Sequence, residues 1–148
     1  DLTVPTPEKV AARARDAVWS APDPAALAAE LAAAGFDSLT VASEAPDRRT
    51  YLLRPDLGRR LRPEDAARLR AAARPGALAL VVADGLCASG VQQQAARLVA
   101  ALAPGLRTQG WDLAPAVIAT QARVALGDDV GEALGAAAVA VLIGERPG

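Results

Sequence analysis

Glu145 and Arg146 stand in VLIGERPG, residues 141–148, where an apolar run opens into Gly-Glu-Arg-Pro-Gly. A carboxylate leaving a buried-type strand accepts hydrogen bonds from a ligand or a partner, or else forms a local surface pair with Arg146. DGLCASG, residues 84–90, spaces Gly85 and Gly90 like part of a phosphate loop, but Val91-Gln92 follows where Lys-Ser/Thr is required, so a P-loop is rejected. What is left is a glycine turn feeding a helix N-terminus, where free N–H groups hold an amide or phosphate, or where Ser89 simply caps the helix. Cys87 in that turn is either a mildly activated thiol or a small packing residue. In RPDLGRRL, residues 54–61, Arg54, Arg59 and Arg60 either grip an anion or pair with acids such as Asp56 and Glu64. Asp128, Asp129 and Glu132 open a short helix whose dipole accounts for them without a metal.

The chain has no histidine. Ser-His-Asp and Cys-His machinery and a conventional three-ligand catalytic zinc are thereby excluded. With one cysteine there is no internal disulfide and no Cys-based zinc site, in keeping with a reducing cytosol. Sixteen bases against seventeen acids, scattered along the chain, lack the electrostatic footprint of a nucleic-acid binder. Apolar runs such as 77–83 and 136–143 fall short of the roughly 20 residues that cross a bilayer, and the reading is of a protein that is neither membrane-bound nor secreted.

The elements that must position these residues are punctuated by proline and glycine. Thr6-Pro7 starts a helix over 7–20 and Asp23-Pro24 starts another, which Gly35 ends in the left-handed conformation. Strands are expected at 36–43, 77–83, 112–119 and 137–143, with a further short one at 50–53. Helices are expected at 55–60, 63–73, 89–102 and 128–134. Strands separated by helices give an α/β fold: a mainly parallel sheet flanked by helices, Rossmann-like or flavodoxin-like, with an N-terminal helical arm. At 148 residues the chain buries roughly two-thirds of its unfolded surface. We divide it into a helical segment, 1–35, and a sheet domain, 36–148. Ligands are expected where strands exit the sheet.

Five stretches taken together, ARARDAV (12–18), EAPDRRTYLLRPDLGRRL (44–61), VVADGL (81–86), RVALGDDVGEALGA (123–136) and VLIGERPG (141–148), resemble the small subunit of ethanolamine ammonia-lyase. They occur in the family order and span nearly the whole chain. The resemblance implies an adenosylcobalamin enzyme that turns ethanolamine into acetaldehyde and ammonia. It is a hetero-oligomer in the cytoplasm or a bacterial microcompartment, and its separate large subunit holds the substrate. Residues 36–148 would then be a Rossmann-like cobalamin-binding domain, inactive alone. Family cobalamin contacts fall on Val124, by backbone or apolar contact, and on Glu145, by acceptance from a corrin amide. The family is base-on, which agrees with the missing histidine. Family chains continue past GERPG into a segment with a cobalamin-contacting cysteine, so the sequence reads as C-terminally truncated, and Cys87 stands where the family has serine. Gln92-Gln93-Gln94 replaces a stretch that often carries histidine. A scaffold domain that has lost the cofactor, and a free-standing small-ligand binder, are the alternatives.

Overall fold

The structure, a computed structural model, describes residues 6–9, 23–85 and 88–144. The Thr6 hydroxyl accepts from the Lys9 amide at 3.3 Å, as a capping residue does. The rest of the helix expected over 7–20, and Leu86, Cys87 and Glu145–Gly148, lie outside the described residues.

Local chemistry accounts for each helix. α1 (Pro24–Ala33) begins with proline after Asp23, whose carboxylate accepts from the Ala26 amide at 3.0 Å. Gly35, at φ +90°, ends it as expected. α2 (Arg48–Leu53) and α3 (Pro55–Gly58) follow strand β1 (Ser38–Ala42). The short strand expected at 50–53 is therefore helix. Its cause is the Asp47 cap, which takes the Thr50 amide at 2.7 Å and outweighs the β-propensity of Thr-Tyr-Leu-Leu. α4 (Pro63–Ala71) carries Glu64 and Asp65 in its first turn and Arg68 and Arg70 in its last, each sign facing the favourable end of the dipole. β2 (Leu78–Ala83) is buried along its whole length.

α5 (Ala88–Thr108) runs beyond the expected end at 102 and passes through Pro104. It starts at Ala88, one residue before Ser89. β3 (Ala116–Thr120) begins later than expected. α6 (Leu126–Leu134) leads to β4 (Ala138–Ile143).

All four strands are parallel, in the order β1-β3-β2-β4. Register places Val81 beside both Val117 and Val141. Side-chain alternation divides the core in two. Val41, Val81, Ala83 and Val117 face α4 and α6 with Leu69, Leu126, Val130 and Leu134. Leu78, Leu80, Val82 and Ile118 face α1 and α5 with Leu27, Leu31 and Val99. Each fully buried leucine, such as Leu31, is worth about 1.5–3 kcal/mol. α1 thus packs as part of the α/β layers. The sequence expectation of an α/β fold with a parallel sheet holds, and here every pairing is parallel.

The connection from β2 leads to α5 on one face, and that from β3 leads to α6 on the other. Neighbouring strands whose chains depart to opposite faces leave a crevice at their carboxyl ends, and there the functional site must be sought. No helix among the described residues is long and apolar enough to cross a membrane.

Candidate functional site

Asp84 closes the crevice between the exits of β2 and β3. It is 3% exposed. One carboxylate oxygen accepts from the amides of Gly85 and Ala122, both at 2.9 Å, and the other accepts from the Gln121 amide at 2.7 Å. The Arg48 guanidinium stands 3.8 Å away. Burial pushes the Asp84 carboxyl up from its ordinary value, while the amides of Ala122 and Gln121, Arg48 and the Gly85 amide pull the other way. The carboxylate is thereby occupied with holding backbone.

Beyond this plug the chain leaving β3 turns back across α2. Arg48 and Arg123 both lie over one buried ring: their guanidinium carbons are 4.5 and 4.3 Å from the centroid of Tyr51, which is 1% exposed. Arg123 also donates to the Tyr51 carbonyl at 3.1 Å, and its own amide donates to the Gly58 carbonyl at 2.8 Å. Gly58 is required by this packing, because a Cβ there would stand 3.0 Å from Arg123 Cγ and 3.1 Å from Tyr51 Cδ2.

The result is an open cleft of about 470 Å³ lined by Tyr51, Arg59, Gly85, Arg123, Val124, Ala125, Asp128 and Ile143. Val124, in the turn before α6, is 55% exposed. Arg59 and Arg123 supply donors, Asp128 an acceptor, and Val124, Ala125 and Ile143 apolar surface. A larger space of about 560 Å³ lies at the exits of β1 and β3, between Ser43, Glu44, Arg62, Glu64 and Gln121. Its Arg62 and Glu64 pair with each other.

The stretches singled out in the sequence meet unequally. Arg59 reaches the cleft; Arg54 is instead paired with Asp56 through two hydrogen bonds at 3.0 and 2.8 Å, and Arg60 lends its carbonyl to the Glu44 amide. Glu64 pairs with Arg62. Asp128 reaches the cleft, whereas Asp129 accepts the Leu61 amide at 3.0 Å and ties α6 to the end of RPDLGRRL. Among the described residues no acidic, histidine or cysteine group could hold a metal ion. Val124 is in the cleft; Glu145 lies outside the described residues, two positions beyond Ile143 of the cleft wall. Sequence reasoning missed Arg48, Tyr51 and the plug formed by Asp84. An acid directly after an entirely apolar strand is the available signal.

Comparison with known proteins bears on the same stretches. Residues 8–148 match the protein family described as ethanolamine ammonia-lyase light chain (EutC). The ethanolamine ammonia-lyase small subunit of Ralstonia nicotianae is 55% identical over 141 residues, covering 93% of this chain and 52% of the relative. Those of Azotobacter vinelandii and a Pseudomonas fluorescens strain are 53% and 49% identical, again over 93% of this chain and 52% and 51% of their own lengths. The chain therefore spans about half the length of these relatives. By the family match over nearly its whole length, the chain belongs to the ethanolamine ammonia-lyase light-chain (small-subunit) family.

Proposed function

We propose that this chain forms part of the cobalamin surround of an adenosylcobalamin-dependent ethanolamine ammonia-lyase, acting with a large subunit in a hetero-oligomer that converts ethanolamine to acetaldehyde and ammonia. The observation that carries the reading is convergence. Arg59 of RPDLGRRL, Gly85 of VVADGL, Arg123, Val124 and Asp128 of RVALGDDVGEAL, and Ile143 of VLIGERPG are far apart in sequence and line one cleft.

The residues suit the cofactor. A corrin ring bears amide side chains around an apolar macrocycle, and the cleft combines guanidinium donors and a carboxylate acceptor with exposed apolar surface. Arg123 Nε is buried with no hydrogen-bond partner among the described residues, so an unspent donor lies in the wall. Val124 would provide backbone or apolar contact, and Glu145 would accept from a corrin amide. When bound, adenosylcobalamin supplies the radical chemistry that removes a substrate hydrogen. This chain's residues bind and orient the cofactor and exclude water from one side of it; the large subunit holds the substrate and completes the other wall. The resemblance to the family implies a base-on cofactor, which would keep its own dimethylbenzimidazole. The assembly belongs in the cytoplasm, within a microcompartment where the organism builds one.

Titration of adenosylcobalamin into the large subunit, with and without this chain, tests the reading through the visible spectrum of the bound cofactor. We expect tighter retention when the chain is present and a loss of about 1–3 kcal/mol with Glu145→Ala, the worth of a charge-assisted bond. Equal retention with and without the chain overturns it.

A further inference from the structure

The buried carboxylate of Asp84 does not itself line the cleft, yet the cleft wall hangs from it. All three of its backbone donors lie in two loops: Gly85 follows β2, and Gln121 and Ala122 follow β3. Gln121 has φ +52°, the left-handed region that a residue with a side chain adopts only when its surroundings over-determine it. Those surroundings are on hand. Asp84 takes the Gln121 amide, the Ser43 hydroxyl donates to the Gln121 carbonyl at 2.5 Å, and Asp84 takes the next amide, that of Ala122, as well. Two residues past this turn the chain presents Arg123 and Val124 to the cleft, with Arg123 latched to Gly58. A turn released at Gln121 swings that wall.

We infer that Asp84 is a positioning residue of the ligand-facing wall: by holding Gln121 in the left-handed turn it sets Arg123 and Val124 at the distance a bound cofactor requires. The inference rests on the proposed reading of the cleft as a cobalamin wall, and its test separates the two. Asp84→Asn keeps the volume but leaves one acceptor oxygen and turns an NH₂ toward amide donors. Gln121→Gly in the same chain lets position 121 hold a positive φ without help.

The first measurement needs no cofactor. Amide hydrogen exchange on the 148-residue chain should show protection at Gln121 and Ala122 falling roughly tenfold or more in Asp84→Asn, beyond any change at the core amides of Val81 and Val117. Unchanged protection at both turn amides, or a uniform fall in which the core amides lose as much, overturns the inference whatever the cofactor does. The second measurement titrates adenosylcobalamin into the complex with the large subunit. Asp84→Asn should weaken binding by roughly tenfold, the order set by one lost charge-assisted hydrogen bond, and Asp84→Asn with Gln121→Gly should recover part of it. Wild-type affinity in Asp84→Asn, or no recovery by the glycine, overturns the positioning role. Should Val124→Asp leave cofactor affinity unaltered, the cobalamin reading fails instead, and the exchange data still decide whether Asp84 holds the turn.

Discussion

The carbonyl oxygen of Gly144 sits so close to Gly85 that any Cβ at position 85 would enter its van der Waals surface. The exits of β2 and β4 touch there, backbone against backbone, and Gly85 also has φ +54°. Two demands, one of space and one of conformation, fall on the same residue.

Gly85→Ala should therefore destabilise the chain by about 2–4 kcal/mol, combining the left-handed penalty with overpacking against a carbonyl that cannot yield. Gly35→Ala is the matched control, since Gly35 has φ +90° but nothing near its missing Cβ. Urea midpoints should order the two with Gly85→Ala well below Gly35→Ala. Equal midpoints would show that the exits of β2 and β4 are not in contact.

Asp84 gives a pH signature with a definite sign. Its carboxyl is raised above 3.8, so between that value and its folded value the native state binds more protons than the unfolded state. Stability then falls as pH rises across that window, and the contribution is fully present below 3.8. The stability of the wild type relative to Asp84→Asn should decline as pH is raised above 3.8 and through the folded-state value. At neutral pH the substitution should change global stability by no more than about 1 kcal/mol, because removal of a buried charge offsets the lost amide bonds. A relative stability that rises with pH contradicts the direction of the shift.

α6 approaches β4 closely because it carries glycine where its face meets the strand. A Cβ on Gly131 would lie 2.5 Å from Val139 Cγ2, and one on Gly127 2.6 Å from Val141 Cγ2. Gly131→Ala should cost about 1–2 kcal/mol, the overpacking penalty less the gain in helix propensity. Val139→Ala should restore most of that loss in the double variant. A thermodynamic cycle showing additive losses would rule out the contact.

Val124 offers the reverse separation, of binding from folding. At 55% exposure its replacement by aspartate should alter stability by less than about 0.5 kcal/mol, whereas retention of adenosylcobalamin in the complex should fall. Denaturation of the chain alone and cofactor titration of the complex measure the two effects separately.

The sequence announces this fold where a single residue decides a boundary. Pro24, Pro63 and Gly35 act through the backbone alone, and the valine-rich runs of β2 and β4 need no long-range information to read as strands. Thr50–Leu53 was illegible as helix because its β-propensity is intrinsic while its cap, Asp47, lies just outside the window. The site is harder. Asp84 acquires its role only when residues 121 and 122 arrive beside it, and Asp129 only when it meets Leu61. Val124 is singled out by resemblance, not by physics, since nothing in Arg-Val-Ala-Leu reveals which side chain the fold leaves exposed. Of the two guanidinium partners of Tyr51, Arg48 is a neighbour on α2, whereas Arg123 arrives from 72 residues on.

The parallel ladder has a temporal consequence. β1 has one neighbour, β3, and the contact of Ser43 with Gln121 closes 78 residues of chain, whereas Asp84 reaches Ala122 across 38. Loop-closure entropy makes the longer contact the later one, so β2 and β3 can join, and Asp84 can grip its two amides, before β1 docks at the edge. By the same argument β1 is expected to leave the sheet before β2 and β3 part, and the turn that carries Arg123 and Val124 is expected to outlast it, hung from the centre of the sheet.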